Sequence, residues 1–255
     1  MKKSTSSNLF LYLAGTLFFL LGWKLLSMRV GEETMVFPGP AKTVLEMFGL
    51  LTRGYTWKCI GMTFLRMAEG FGCSFVLALF LGTIAGYEDR LRKMLQPFIV
   101  VLRAVPTACL VYLFIVLTGY RSAPAYLVGL IAFPILNEGV ASGVANVPGE
   151  FINAARVDGV NRVKECLSIR LPLAKPYIAA ALFSSFSLSF KIEIMAEVIT
   201  GSSDAGLGNV IRGMRAADPT NMLPVFAYSL IAVLLMLTID LMIGICSTKK
   251  QIKDL

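Results

Sequence analysis

Apolar residues in this chain run in long continuous stretches and do not alternate with polar ones. Six stretches stand out, at about 9–28, 59–86, 97–118, 123–145, 177–200 and 224–246. A helix needs about 20 mainly apolar residues to cross the hydrocarbon of a bilayer, whereas the strands of membrane barrels are roughly half as long and alternate in polarity. The pattern therefore predicts an all-α polytopic membrane protein with six transmembrane helices, built as one domain over residues 1–255. Lys2 and Lys3 before LFLYLAGTLFFLLGW look like the start of a secretory signal. The apolar run continues past the usual core of such a signal and lacks a small-residue cleavage site, so a retained first span is expected.

Two connections are long enough to hold structure. In FPGPAKTVLEMFGLL, Pro40 suits the first turn of a helix, and Val44, Leu45, Phe48 and Leu51 recur at helical spacing, predicting a short amphipathic helix at the membrane interface. The second connection, 148–176, reads VPGEFINAARVDGVNRVKECLSIRLPLAKPY with its flanks. Pro148 suits a helix start and Gly159 the left-handed residue that ends one. Asn161 can cap a second helix, VKECLSI, before Pro172 interrupts it. Phe151, Ala154, Ala155 and Val157 give the first of these helices an apolar patch at the tip of a basic loop, where water would otherwise wet it.

Composition agrees with a membrane protein: 56% of residues are hydrophobic and 16% charged, against about 45–50% and 25% in soluble domains. A net charge of +8 could suit nucleic acid, but here the basic residues lie between apolar segments, so no nucleic-acid partner is expected. With the N-terminus inside, thirteen lysines and arginines fall on cytoplasmic segments (Lys2, Lys3, Arg90, Arg92, Lys93, Arg156, Arg162, Lys164, Arg170, Lys175, Lys249, Lys250, Lys253) and seven outside (Arg29, Lys42, Arg53, Lys58, Arg121, Arg212, Arg215). The positive-inside rule then makes both termini cytoplasmic.

No histidine is present, and the five cysteines, Cys59, Cys73, Cys109, Cys166 and Cys246, fall singly with no CxxC spacing. They read as small buried apolar residues, mostly within the spans, and neither a metal site nor a His-dependent catalytic triad can be assembled. The chain is expected to be no enzyme and to hold no cofactor. GLGNV is not followed by the lysine of a phosphate loop, so any ATP is bound by another chain.

Ionisable residues within spans are costly and usually face a cavity or a partner. Arg66, Glu69, Arg103, Lys191, Glu193, Glu197 and Asp240 fall there or near span ends. Arg66 and Glu69 share a helical face, so a local ion pair is preferred to a substrate role. Glu193 and Glu197 also share a face and would repel without a compensating cation, for which Arg103 or Lys191 of a neighbouring helix are candidates; Lys191 and Glu193 point to different sides. Ser185 and Ser189 extend the polar stripe, either lining a cavity or bonding only to backbone. Arg66, Arg103, Ser185, Ser189, Lys191, Glu193 and Glu197 are the translocation-path candidates, and Arg103 and Lys191 would suit an anionic ligand. Gly82 with Gly86 and Gly139 with Gly143 allow close helix approach, read as packing inside one bundle in preference to dimerisation.

The series Asn153-Ala154-Ala155, Gly159, Ile169, Leu171, Pro172 resembles the EAA signature of binding-protein-dependent ABC importer permeases. It departs from that signature at Asn153, where glutamate is usual; Glu150 stands three residues earlier on nearly the same face. TFLRMAEGFGCSFVLALFLGTIAGY, LQPFIVVLRAVPTACL and SFKIEIMAEVITGSSDAGLGNVI are similar to the nitrate/sulfonate/taurine type, with Lys191 where tryptophan is common and no second proline after Pro106. The resemblance implies a type I permease bundle in a bacterial-type plasma membrane, working by alternating access as a homodimer. Two cytoplasmic ATPase subunits would bind the ATP, and an outside solute-binding protein would deliver cargo. It further implies that Glu150, Asn153, Ala154, Ala155, Gly159, Ile169, Leu171 and Pro172 form the ATPase-coupling element. The cargo stays open among nitrate, sulfonates, taurine, bicarbonate and thiamine-precursor pyrimidines; an ion-coupled secondary transporter is the rival class.

Overall fold

The computed structural model describes residues 4–30 and 36–253, and among the described residues there are helices and no strands. In chain order these are α1 (Ser4–Val30), α2 (Pro40–Leu51), α3 (Gly54–Tyr87), α4 (Asp89–Ala104), α5 (Thr107–Thr118), α6 (Ala123–Ala145), α7 (Gly149–Val157), α8 (Arg162–Glu165), a π-turn (Cys166–Arg170), α9 (Leu171–Thr200), α10 (Leu207–Ala217) and α11 (Leu223–Lys253). Four helical runs are long and apolar enough to cross a membrane: Gly54–Tyr87, Ala123–Ala145, Arg162–Thr200 and Leu223–Gly244. The pair α4 and α5 makes a fifth if its two limbs count as one span.

That pair departs from the single straight helix expected over 97–118. The two limbs meet at 100°. Val105 has extended backbone (φ −71°, ψ 130°) because the ring of Pro106 disfavours helical geometry in the residue before it, and Pro106 has no N–H to continue the ladder. The first limb also begins earlier than expected, at the polar Asp89.

Helix α6 is the centre of the bundle, with 56% of its apolar window buried against 28% for α3 and α11. It packs between α3 and α9, and glycines set the spacing. A Cβ on Gly82 would lie 2.8 Å from the Val140 Cβ, one on Gly86 2.5 Å from the Ala141 carbonyl oxygen, and one on Gly143 2.9 Å from the Tyr177 Cβ. Gly139 has no room for a Cβ beside Ala181. Both glycine pairs therefore serve packing within this bundle, where close backbone approach substitutes for the hydrophobic drive that lipid does not supply.

Helix α2 starts at Pro40, as the sequence indicates, and buries Thr43, Met47 and Leu50. The expected stripe lies on its other side, with Leu45 and Phe48 exposed, a face suited to the membrane interface. Helix α1 exposes apolar residues on all sides. It is tied to the rest at one end, where Trp23 Nε1 donates to the Pro38 carbonyl at 3.1 Å, Ser27 Oγ donates to that of Phe37 at 2.9 Å, and Phe37 packs edge-on to Phe226. Of the cysteines, Cys59 is buried while Cys73 and Cys109 are exposed on the bundle, so the expectation of uniformly buried cysteines is corrected. The Cys246 side chain lies outside the described residues, as do Lys2 and Lys3.

Candidate coupling segment and intramembrane charge sites

At one end of the bundle, α7 ends where the N–H of Asp158 bonds the Ala154 carbonyl at 3.1 Å and that of Val160 bonds Ala155 at 3.0 Å. Gly159 then adopts φ +70°, a left-handed conformation that residues with a Cβ rarely take. Asn161 caps α8 by accepting the Lys164 N–H at 2.8 Å. Gly159 and Asn161 thus act as the sequence indicates. Pro172 does not interrupt the second helix: it sits in the first turn of α9, directly after the π-turn, in a continuous run from Arg162 to Thr200. The wider π-turn leaves N–H groups outside the α ladder, so the missing donor of proline costs little there.

Helix α7 turns one face into the protein through Ala155, which is buried, and leaves Glu150, Asn153, Ala154 and Val157 exposed, Val157 at 88%. Gly159 and Pro172 are also exposed, and Ile169 and Leu171 half-buried. With Phe151 and Val163, this end of the molecule presents an apolar knob.

A buried joint connects the knob to the bundle. The Arg170 guanidinium donates to Glu165 at 2.9 Å and to the Val144 carbonyl at 3.3 Å, and it lies 4.7 Å above the ring of Tyr87. The ends of α3, α6 and α9 therefore meet on one side chain. Beside it, Arg92 of α4 donates to Glu138 of α6 at 2.7 Å.

At the opposite end of α9, three groups converge on Glu197. It is fully buried and pairs with Arg66. Thr63 Oγ1 donates to it at 2.9 Å, and the Gly208 N–H at 2.8 Å. Thr63 Oγ1 also accepts the Leu207 N–H at 2.9 Å, and Arg66 Nη2 donates to the Ala205 carbonyl at 2.6 Å. The latch thus fastens α3, α9 and the start of α10. Gly206 and Gly208 make it possible: a Cβ on Gly206 would lie 2.5 Å from the Glu197 carboxylate, and one on Gly208 would overlap the Ile194 carbonyl. The expected local pair between Arg66 and Glu69 does not form among the described residues. A buried partner on another helix outcompetes an exposed neighbour on the same one, because desolvation strengthens the attraction.

Glu193, one turn from Glu197 on the same face, is also fully buried, and neither of its carboxyl oxygens has a hydrogen-bond partner among the described residues. Ser185 and Ser189 are buried and donate to the carbonyls of Ala181 and Ser185 at 2.6 and 2.7 Å. They are backbone-bonded. Arg103 is exposed and donates to the Pro134 carbonyl at 3.2 Å, fastening the α4 bend to α6. Lys191 is exposed on the outward face of α9. Neither of these cations reaches the two glutamates through a contact. A cavity of about 870 Å³ between α3, α4, α5 and α6 is lined mainly by apolar and small side chains, with Arg66, Glu69 and Arg121 on its walls.

Residues 76–251 match the family described as "binding-protein-dependent transport system inner membrane component". The chain belongs to this family. Its relatives include a bicarbonate transport system permease protein of Synechococcus elongatus, 28% identical over 79% of this chain and 75% of the relative. A nitrate import permease protein of Leptolyngbya laminosa is 30% identical over 74% and 70%, and a putative aliphatic sulfonates permease of Bacillus subtilis 26% over 78% and 72%. In fold the chain is similar to a chain of an inward-facing MetNI methionine ABC transporter (TM-score 0.61, 20% identity, 80% of this chain and 97% of that one). It is similar also to a chain of an amino acid ABC transporter (TM-score 0.61, 17% identity, 81% and 96%).

As an ABC importer permease of the inner membrane, the protein works with a solute-binding protein and an ATPase. The matched region holds the whole candidate coupling segment together with Glu193 and Glu197, while Thr63 and Arg66 precede it. Sequence reasoning overlooked several residues of this permease that the fold brings together: Thr63, Gly206 and Gly208 of the latch, and Glu165 and Tyr87 of the joint. The two glycines in GLGNV were the one available signal.

Proposed function

We propose that two copies of this chain form the translocation path of an ATP-driven importer for a small anionic solute, of the nitrate, bicarbonate, sulfonate or taurine class. Six spans are then α1, α3, the bent α4–α5 pair, α6, α9 and α11. Both termini and the segment 149–172 are cytoplasmic, where the exposed face of α7 docks on one of two ATPase subunits. Those subunits bind and hydrolyse the ATP; the permease itself has no catalytic role. The end of the molecule that carries α10 faces the solute-binding protein, and the path opens alternately to either side.

Lys191 carries the anionic reading. It lies on the exposed face of a membrane-crossing helix, about 14 Å from the Thr200 end at 1.5 Å per residue, with no partner among the described residues and with the exposed Ser184 and half-buried Ser187 on the same side. A free ammonium at that depth is tolerated where it faces water or a counter-charge, and a path for anions between two copies supplies both. The relatives named for bicarbonate, nitrate and sulfonates support the same class.

The test is uptake by the transporter reconstituted with its ATPase and binding protein. Lys191→Ala should lower anion uptake by about tenfold or more, the value of one charged hydrogen bond, and Lys191→Arg should retain most of it. Unchanged uptake in Lys191→Ala, or a binding protein that takes neutral pyrimidines and no anion, would contradict the proposal.

A further inference from the structure

Glu193 is the one carboxyl in the latch region that the transport reading leaves without a task. It is fully buried, and both oxygens lack partners among the described residues. Buried acids without partners are rare because the desolvation of the group is uncompensated. Its electrostatic neighbours are Glu197 on its own helix and Arg66 and Glu69 on α3. Of these only Arg66 is a cation, and in this conformation Arg66 is committed to Glu197 and to the Ala205 carbonyl.

That commitment depends on α10. The Glu197 carboxylate is held by the Gly208 N–H, Thr63 is held by the Leu207 N–H, and Arg66 is held by Ala205. All three backbone groups belong to the segment that leads into α10 or to its first turn. If that segment lifts, Glu197 and Arg66 each lose a bond at once. The next acceptor on the same face of α9 is Glu193, one helical turn or roughly 5–6 Å along.

We propose that Glu193 is a positioning residue of the transport cycle: it receives the Arg66 guanidinium when the α10 segment undocks from α9, so that Arg66 exchanges between two carboxylates a turn apart. The exchange gives the bundle two discrete arrangements, one latched through Glu197 and one through Glu193, and spares the unlatched state an unpaired buried arginine. Glu193 is therefore left unsatisfied in the latched form, and its cost biases the permease towards release of α10. The inference rests on the importer reading, since a cycle is needed to populate both arrangements.

Val210 of α10 is 6% exposed in the latched form and reports on undocking. In the full transporter with ATPase and binding protein, V210C is treated with a membrane-impermeant maleimide, and modification at that position is read by peptide mass spectrometry, with and without ATP and loaded binding protein. The exchange predicts a nucleotide-dependent change in labelling rate of at least about fivefold, the lower bound of a usual coupling between sites. Glu193→Gln should abolish that change and hold labelling at the slow, latched rate, whereas Glu193→Asp should keep it. Glu197→Gln should give fast labelling without nucleotide.

A full nucleotide-dependent change in Glu193→Gln overturns the proposal. So does a further effect of Glu193→Gln in an Arg66→Gln background, where no guanidinium remains to be exchanged. Should Glu193→Gln fail to assemble, Arg66→Gln alone decides: it must label fast in both states, and protection of V210C in that variant also overturns the exchange. Constant V210C labelling alongside ATP-dependent uptake removes the exchange and leaves the importer; uptake indifferent to ATP and binding protein removes the importer itself.

Discussion

Arg170 stands where three helix ends meet, and the energetics of its pair with Glu165 follow from burial, the side chains being 11% and 2% exposed. Removing one member of a buried hydrogen-bonded ion pair costs about 3 kcal/mol or more. Arg170→Gln should lower the thermal midpoint of the purified permease, and its effect and that of Glu165→Gln should be less than additive because the two side chains bond directly; an unchanged midpoint in the Arg170 variant would contradict the joint. The pair was hidden in the sequence because residues five apart point away from each other on an α-helix, and only the π-turn Cys166–Arg170 brings them together. Gly159 and Asn161, by contrast, were legible, since a left-handed turn and an N-cap are local demands that residue type alone answers. Arg66 was misread for the opposite reason: its partner Glu197 is 131 positions away, while Glu69 is three.

One residue outside the spans gives a pH signature. Asp218 accepts the Thr220 hydroxyl at 2.6 Å and the N–H groups of Thr220 and Asn221 at 3.0 and 3.2 Å. The Thr220 hydroxyl above all, with these N–H groups, holds its carboxyl below the usual carboxylate range. The folded value lies below the unfolded one, so the stabilisation of this turn is complete above the ordinary carboxylate range and is lost as pH falls through the lowered folded value. Amide exchange at Thr220 and Asn221 should stay slow down through that range and quicken below it, and Asp218→Asn should remove the dependence; quickening already at mildly acid pH would contradict this.

At the scale of elements, the hydrophobic pattern located the four helical runs long and apolar enough to cross a membrane among the described residues, and the region of the bent pair, but not the break in that pair. Pro106 was visible, yet a proline within a span can kink slightly or turn the chain sharply, and neighbouring helices decide which. Here Arg103 holds the bent limb to Pro134 of α6. The glycine pairs were legible as contact points because small residues at four-residue spacing have one main use in lipid, but which helices they join needed the fold. Their roles give a paired prediction. Gly139 has no room for a Cβ against Ala181, whereas a Cβ on Gly72 would meet nothing within 4 Å. Gly139→Ala should destabilise by about 1–3 kcal/mol through forced separation of α6 and α9. Gly72→Ala should be neutral or stabilise by up to about 1 kcal/mol through helix propensity. Thermal midpoints check both, and equal effects would contradict the packing described.

For the whole molecule, the joint at Arg170 and the latch at Glu197 lie at opposite ends of one helical run, Arg162–Thr200, which continues without a break from the candidate coupling segment to the start of the α10 connection. In the importer proposed above, motion imposed on α7 and α8 would be carried to the latch along this one helix, on which Lys191 also lies. The assignment to a permease rested in the sequence on the spacing within 153–172, and the family match and fold agree with it. What sequence could not supply was the joint and the latch, because they bring together residues distant in the chain.

Gly159 offers the most direct test. Its φ of +70° needs a residue that tolerates the left-handed region, and among the described residues none beyond its chain neighbours lies within 4 Å of a Cβ placed there, so substitution acts on the turn and on whatever docks against it. In the reconstituted transporter, Gly159→Val should let ATP hydrolysis continue while uptake falls by about tenfold or more, and Gly159→Asn, which tolerates this backbone better, should retain most uptake. Uptake at the original rate in Gly159→Val would contradict the claim that this segment couples the ATPase to the permease.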